Sequence, residues 1–262
     1  VIKKVITEKT CKKYKLLLEQ AYSDYSYKYA TDGEKNELSD KTGEKVVYNL
    51  HNKDYSWFKL FENQKTFRLV TKLLQEGSYK NNEPIYLYNI SARNPHKGSG
   101  GQQIHIDGGI PGIRVPLFVN VMWYFDDVNE ENGPTVVVPK SHKFKSYCPD
   151  GHVPKNTKKL IVNKGDVVIF DGSLWHGGTN SINGASRWAL ILGYARWFLK
   201  PSFDYKKNTP QEIWSKLNEK QKRLLGFDLI PPKDEFTRSR RRSAYPEKPD
   251  IYFLPGASNE TD

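Results

Sequence analysis

Cys11 and Cys148 are the whole thiol content of a 262-residue chain that also holds a single methionine. They lie far apart, each without a neighbouring thiol, which excludes a disulfide framework, a paired-cysteine zinc site and a Cys-x-x-Cys redox motif. A reducing, cytoplasmic compartment is the expectation. Long apolar runs are missing as well. None approaches the roughly 18 to 20 residues of a membrane span, and the opening Val1-Ile2-Lys3-Lys4-Val5-Ile6 has no apolar leader stretch, so a soluble protein with no membrane partner is expected. Acid is the scarcer charge: 30 Asp and Glu stand against 41 Lys and Arg, for a net +11. Only ten of the cations are Arg, the forked side chain that phosphate recognition recruits, and no aromatic-Arg interleaving marks a base-binding groove. A basic, lysine-rich surface is therefore expected, and nucleic acid is not the expected partner.

What the chain does have is aromatic bulk, with 6 Trp, 16 Tyr and 12 Phe, enough to build a large core. Length and composition suit one domain over 1–262, with a helical N-terminal segment over 1–80, a β core over 84–198 and a C-terminal helix and tail over 201–262. Tyr14, Leu17, Leu18, Ala21, Tyr22 and Tyr25 recur at helical spacing, followed by a polar stretch from Thr31 to Lys45 that reads as loop. Trp57, Phe58, Phe61, Phe67, Val70, Leu73 and Leu74 mark a second helical region, with Gly77 as its stop.

Short β-branched and aromatic runs follow: Ile85 to Ile90, Gln102 to Asp107, Leu117 to Phe125, Thr135 to Val138, Leu160 to Val162, Val167 to Phe170 and Arg187 to Trp197. Turn-forming residues separate them, which predicts a mainly β fold with supporting helices, a double-sheet jelly roll. Thr209-Pro210-Gln211-Glu212 reads as a capping box opening a helix to about Leu225. The run Arg238-Ser239-Arg240-Arg241-Arg242 reads as solvated charge.

The chemistry concentrates in Gln102-Gln103-Ile104-His105-Ile106-Asp107. In an extended strand Gln103, His105 and Asp107 share one face and Ile104 and Ile106 the other. An imidazole and a carboxylate so placed can chelate one cation, and a second His would complete a facial triad with three open positions. His142 and His176 are the candidates. His142 sits in a loop, whereas His176 follows a buried run and precedes Gly177-Gly178, which leaves room for ligands, so His176 is preferred. Arg187 opens an apolar strand and alternates with Ala189 and Ile191, so an inward guanidinium there reads as a clamp for a carboxylate.

These segments resemble the phytanoyl-CoA dioxygenase (PhyH) family of non-haem Fe(II) and 2-oxoglutarate-dependent oxygenases. The resemblance runs through His105-Ile106-Asp107, Glu131-Asn132-Gly133-Pro134-Thr135 to Pro139-Lys140-Ser141-His142-Lys143, and Gly165-Asp166-Val167-Val168-Ile169-Phe170 to Trp175-His176 and Arg187. It implies a cupin-like double-stranded β-helix, Fe(II) held by His105, Asp107 and His176, and 2-oxoglutarate as cosubstrate, its distal carboxylate paired with Arg187. By the same resemblance Trp123 and Gln103 match positions at the cosubstrate. Gly178 departs from the pattern, since some members carry a hydroxyl there, and Thr179 or another group is expected to replace it.

The implied reaction consumes O2, releases succinate and CO2, and hydroxylates an unactivated C–H of a small or medium-sized metabolite. Oxidation of nucleic acid and a non-catalytic β-sandwich binding module are the rival readings. Arg93, Lys97, Arg114, Lys140, Lys143 and Lys145 crowd the loops beside the metal strand. Two readings stand for them, capture of an anionic substrate and plain solvated surface. Nothing in the sequence assigns an oligomeric state.

Overall fold

The computed structural model describes residues 1–30, 44–78, 83–99 and 101–227. The basic run at 238–242 and most of the stretch expected as loop lie outside these described residues.

Two antiparallel sheets carry the fold. The larger has five strands in the order β1 (Glu44–Tyr48), β2 (Ile85–Pro95), β9 (Ala189–Arg196), β4 (Phe118–Tyr124) and β7 (Val167–Asp171). The smaller contains β3 (Gln102–His105), β8 (His176–Gly178), β5 (Thr135–Val137) and β6 (Lys158–Lys159), in that order. All seven residues of β4 are buried, because both of its faces are covered. On one face Val119, Val121 and Trp123 join a core with Leu18 of α1 (Glu8–Ala30), Phe61 of α2 (Phe58–Phe61) and Val70 of α3 (Gln64–Leu74). On the other, Met122 and Tyr124 meet Val168, Phe170 and Ala189. Helices therefore back the large sheet outside, and the small sheet closes over its inner face, the jelly roll that the strand pattern predicts. Each large apolar side chain sealed in the outer core contributes about 1.5–3 kcal/mol of transfer free energy.

Local structure departs from expectation at four places. The end of the supposed loop is β1, which pairs along β2 from Glu44 opposite Pro95 to Tyr48 opposite Ser91. Its two valines are too few to signal a strand in sequence; the strand exists because β2 presents an edge. The second helical region is two helices, restarted where the Asn63 side chain accepts the N–H groups of Lys65 and Thr66. The strand expected at Leu160 to Val162 lies instead at β6, while Leu160 still donates its N–H to Thr135 at 2.8 Å.

The capping box at Thr209 does not form. The Thr209 hydroxyl donates to the Tyr205 carbonyl of α4 (Tyr205–Asn208), and the chain continues as α5 (Gln211–Trp214) and α6 (Glu219–Leu224). The real capping box is Asn218 with Gln221, whose side chain and backbone groups bond reciprocally, so the helix restarts there. Gly77 behaves as predicted, taking a left-handed φ of 69° just past α3.

Candidate active site

The site lies between the sheets, and the pairing of β3 with β8 creates it. His105 is the direct cross-strand partner of His176, their ring centroids 4.4 Å apart. Between that pair and Gln102 opposite Gly178 the register shifts, so β3 carries one residue more than β8. Beyond β3, the Asp107 N–H donates to the Gly172 carbonyl at 3.0 Å and turns the carboxylate toward both rings. Ile104 and Ile106 point away, into a small core with Val138, Cys148 and Trp175.

Ligand atoms of His105, Asp107 and His176 all lie within 4.8 Å of one another. His105 Nε2 is 3.5 Å from Asp107 Oδ1, and His176 Nε2 is 3.3 Å from Asp107 Oδ2. The other ring nitrogens are committed: His105 Nδ1 meets the Gln103 carbonyl at 2.8 Å and His176 Nδ1 the Leu174 carbonyl at 2.9 Å. A carbonyl only accepts, so in each neutral imidazole Nδ1 carries the proton and Nε2 is left as a lone pair. Two lone pairs and a carboxylate then converge, a donor set that asks for a cation.

Burial works to raise the Asp107 pKa, but the two imidazoles, which donate from Nε2 when protonated, outweigh it and hold the carboxyl well below its ordinary range. The Asp107 carboxylate in turn shifts His105 upward against its burial. His176 is buried, with the Phe170 ring edge-on to its own at 5.0 Å.

Arg187 stands two residues before β9, its backbone N–H held by Asn94 Oδ1 at 2.8 Å. Its side chain continues the inward row of Ala189 and Ile191, which pair with Tyr124 and Met122. The residue is 4 % exposed, its Nε lacks a hydrogen-bond partner, and among the described residues no carboxylate forms an ion pair with it. Burial lowers its pKa, partly offset by the neighbouring Tyr124 and Glu44. The Glu44 carboxylate is already taken, by Arg93 at 2.8 Å. A buried, unpaired guanidinium is costly, and a bound carboxylate is the partner that relieves it. Tyr124 is fully buried nearby, its hydroxyl donating to Met122 Sδ at 3.7 Å and lying next to Thr135.

The other expected residues fare differently. Gln103 is exposed, and its contact with the cluster is the carbonyl that fixes His105. Trp123 does not reach the site. Strand alternation turns it to the outer face of β4, where it packs in the helix-backed core with an unpaired indole N–H. Asn120, on the inner face of the same strand, was the residue to find: its Nδ2 donates to Asp107 Oδ2 at 2.7 Å. A lone amide inside the apolar run Phe118 to Tyr124 is the signal, because it is costly to bury unless bonded. Thr179 is spent on the Pro134 carbonyl at 2.9 Å and does not replace the hydroxyl missing at Gly178. His142 lies outside the cluster, in the short helical turn Ser141–Lys143. Arg93, paired with Glu44 and close to Tyr48, is no free cation.

A cavity of about 670 Å³ is lined in part by Phe170, whose ring packs against His176. Its wall includes apolar Ile113 and Leu174 together with Arg114, Lys143, Glu76 and Asp171. No helix among the described residues is long and apolar enough to cross a membrane.

Known proteins share the fold. Dioxygenase af480 of Aspergillus fumigatus is 28% identical over 192 residues, covering 70% of this chain and 59% of its own length, so the chain spans somewhat over half of that relative. The structure of HygX from Streptomyces hygroscopicus with nickel and 2-oxoglutarate bound superposes with a TM-score of 0.57 at 16% identity, covering 76% of this chain and 83% of HygX. The epimerase SnoN, solved with Fe3+, alpha ketoglutarate and nogalamycin RO, gives 0.57 at 14% identity, over 76% and 80% of the two chains. At such identities these likenesses speak for the fold. The family model of phytanoyl-CoA dioxygenase (PhyH) matches residues 1–189, most of the chain and the whole span from α1 through the triad to Arg187, and the chain belongs to that family.

Proposed function

We propose that this protein is an Fe(II)- and 2-oxoglutarate-dependent dioxygenase that hydroxylates an unactivated C–H of a small or medium-sized metabolite, with release of succinate and CO2. The observation that carries the reading is the buried Arg187, without an ion-pair partner among the described residues, on the inner side of the large sheet that the cluster-bearing small sheet covers. A metal triad alone suits many reactions; a carboxylate clamp beside it selects a dicarboxylate cosubstrate.

His105, Asp107 and His176 would hold the iron, leaving three positions free. When bound, the iron supplies the oxygen chemistry, coupled to decarboxylation of the cosubstrate. The chain's own residues do the rest. The Nδ1 bonds to Gln103 and Leu174 fix the orientation of both rings, with Nε2 turned toward the site. Arg187, with the Tyr124 hydroxyl beside it, binds the distal carboxylate and fixes which end of the cosubstrate faces the metal. Gln103 is left to the cosubstrate only through a side chain free of other bonds. Asp107 fills the position that halogenating relatives of this chemistry leave open, which favours hydroxylation over halide transfer.

The cavity beside Phe170 is the route for the substrate. Its apolar residues suit a hydrocarbon body, and charges of both signs in its lining suit a substrate with polar ends, an anionic group meeting Arg114 or Lys143.

Anaerobic loading with Fe(II) and 2-oxoglutarate, then exposure to air with fractionated small metabolites, tests the reading. Succinate should form, and the product should gain one oxygen atom in mass. Loss of iron binding in His176→Ala but not in His142→Ala is expected. Iron binding that survives His176→Ala, or no succinate under any condition, would remove the proposal in favour of a binding module.

A further inference from the structure

Asn120 sits at the centre of β4, 4 % exposed, with apolar Val119 and Val121 on either side. Its cross-strand partners are Phe170 of β7 and Gly193 of β9. Gly193 has no side chain, and the Phe170 ring leans on His176, so the amide occupies the open lane between the sheet and the cluster. There Nδ2 meets Asp107 Oδ2 at 2.7 Å. An ionised carboxylate offers only lone pairs, so the amide nitrogen must be the donor. The backbone of Asp107 is anchored independently, through its N–H to Gly172.

We propose that Asn120 is a positioning residue that restricts Asp107 to one-oxygen metal ligation. The inference rests on the iron reading above. A carboxylate can bind a cation through one oxygen or through both. Two imidazoles and one oxygen leave three of six positions, two for a chelating 2-oxo acid and one for dioxygen. A second carboxylate oxygen on the metal would remove one of these. The short, charge-assisted bond takes one lone pair of Oδ2 and fixes the rotation of the carboxylate, which favours ligation through Oδ1 alone over a chelate through both oxygens. Asn120 thus protects the vacancy that the reaction needs, in a strand where burial would otherwise select a hydrophobic side chain.

The test compares the wild type with Asn120→Leu, similar in size but without a donor, and with Asn120→Ser, which keeps one. Fe(II) affinity is measured anaerobically by equilibrium dialysis. The mode of ligation is read from Zn(II)-minus-apo infrared difference spectra of the aspartate-labelled protein, where the two carboxylate stretches lie far apart for one-oxygen binding and close for two. The wild type and Asn120→Ser should show the wide separation. Asn120→Leu should narrow it and weaken Fe(II) by about 10- to 100-fold, the usual range for loss of an outer-shell partner. A purely structural amide would change thermal stability and leave the separation alone.

If Asn120→Leu does not fold, Asn120→Ala is read in the same way. A folded donor-free variant with wild-type separation and wild-type affinity overturns the proposal while leaving the iron reading intact. A wild type that binds no Fe(II) overturns both.

Discussion

Thr135 and Gly178 are direct partners across the antiparallel pair β5–β8, and Thr135 is buried next to Tyr124, the neighbour of Arg187. A hydroxyl thus stands directly opposite the position where Gly178 lacks one, and it is expected to serve the cosubstrate in its place. Thr135→Val keeps shape and removes the donor. A hydrogen bond to a charged group contributes about 1.5–3 kcal/mol, so 2-oxoglutarate should bind about 10- to 100-fold more weakly with iron binding unchanged. Calorimetric titration of the Ni(II)-loaded protein reads this, and an unaltered dissociation constant would assign Thr135 to holding Tyr124 only.

Arg187→Met should have opposite effects with and without ligand. In the apo protein it removes a buried cation that has no ion-pair partner among the described residues, so the melting temperature should hold or rise. With 2-oxoglutarate present the wild type should gain stability, about 2.7 kcal/mol at one hundred times the dissociation constant. The variant should gain almost none of it. Thermal scans with and without 2-oxoglutarate decide; an equal ligand-induced shift in both proteins would show that the guanidinium is not the clamp.

Much of this arrangement is legible in the sequence, and the rest is hidden for physical reasons. Spacing within one strand identifies His105 and Asp107, because alternation is local. His176 and Arg187 follow from their small or apolar neighbours. Trp123 misleads because alternation had to be counted on β4 itself, where Asn120, Met122 and Tyr124 face inward and Trp123 faces the helices. The role of Thr135 depends on register between strands far apart in sequence, which no local pattern encodes. β1 is likewise a strand only because β2 offers it an edge, and Arg93 loses its apparent freedom only once β1 brings Glu44 beside it.

Gly177 allows β3 and β8 to approach. A Cβ there would lie 2.7 Å from the Gln102 carbonyl oxygen and 3.1 Å from that of Gln103, both backbone atoms. Gly177→Ala should therefore push the strands apart beside His176, costing about 1–3 kcal/mol as overpacking does, and should weaken Fe(II) by at least about 10-fold since the three ligands must converge. Gly151→Ala, at a φ of 71° with nothing within 4 Å, is the control. It should lose stability through backbone strain alone and keep its metal affinity. Equal iron binding in the two variants would refute the argument.

Stability should also fall in mild acid through a residue remote from the site. His51 is fully buried, its Nε2 2.7 Å from Asn208 Oδ1 and its Nδ1 unpartnered. Burial lowers its pKa from 6.5 to about 3, although the bond to Asn208 opposes the shift. Above pH 6.5 the ring is neutral in folded and unfolded chains alike, and its full contribution to stability is present. Between pH 6.5 and 3 the unfolded chain takes up a proton that the folded chain refuses, so stability declines as pH falls, by about 1.4 kcal/mol per pH unit at most. His51→Gln keeps an N–H for Asn208 and does not titrate. It should be less stable than the wild type at pH 7, through imperfect packing against Tyr205, yet lose less on going to pH 5. Urea unfolding midpoints at the two pH values, measured on metal-free protein, test the difference. Parallel declines in the two proteins would mean that His51 is not the group responsible.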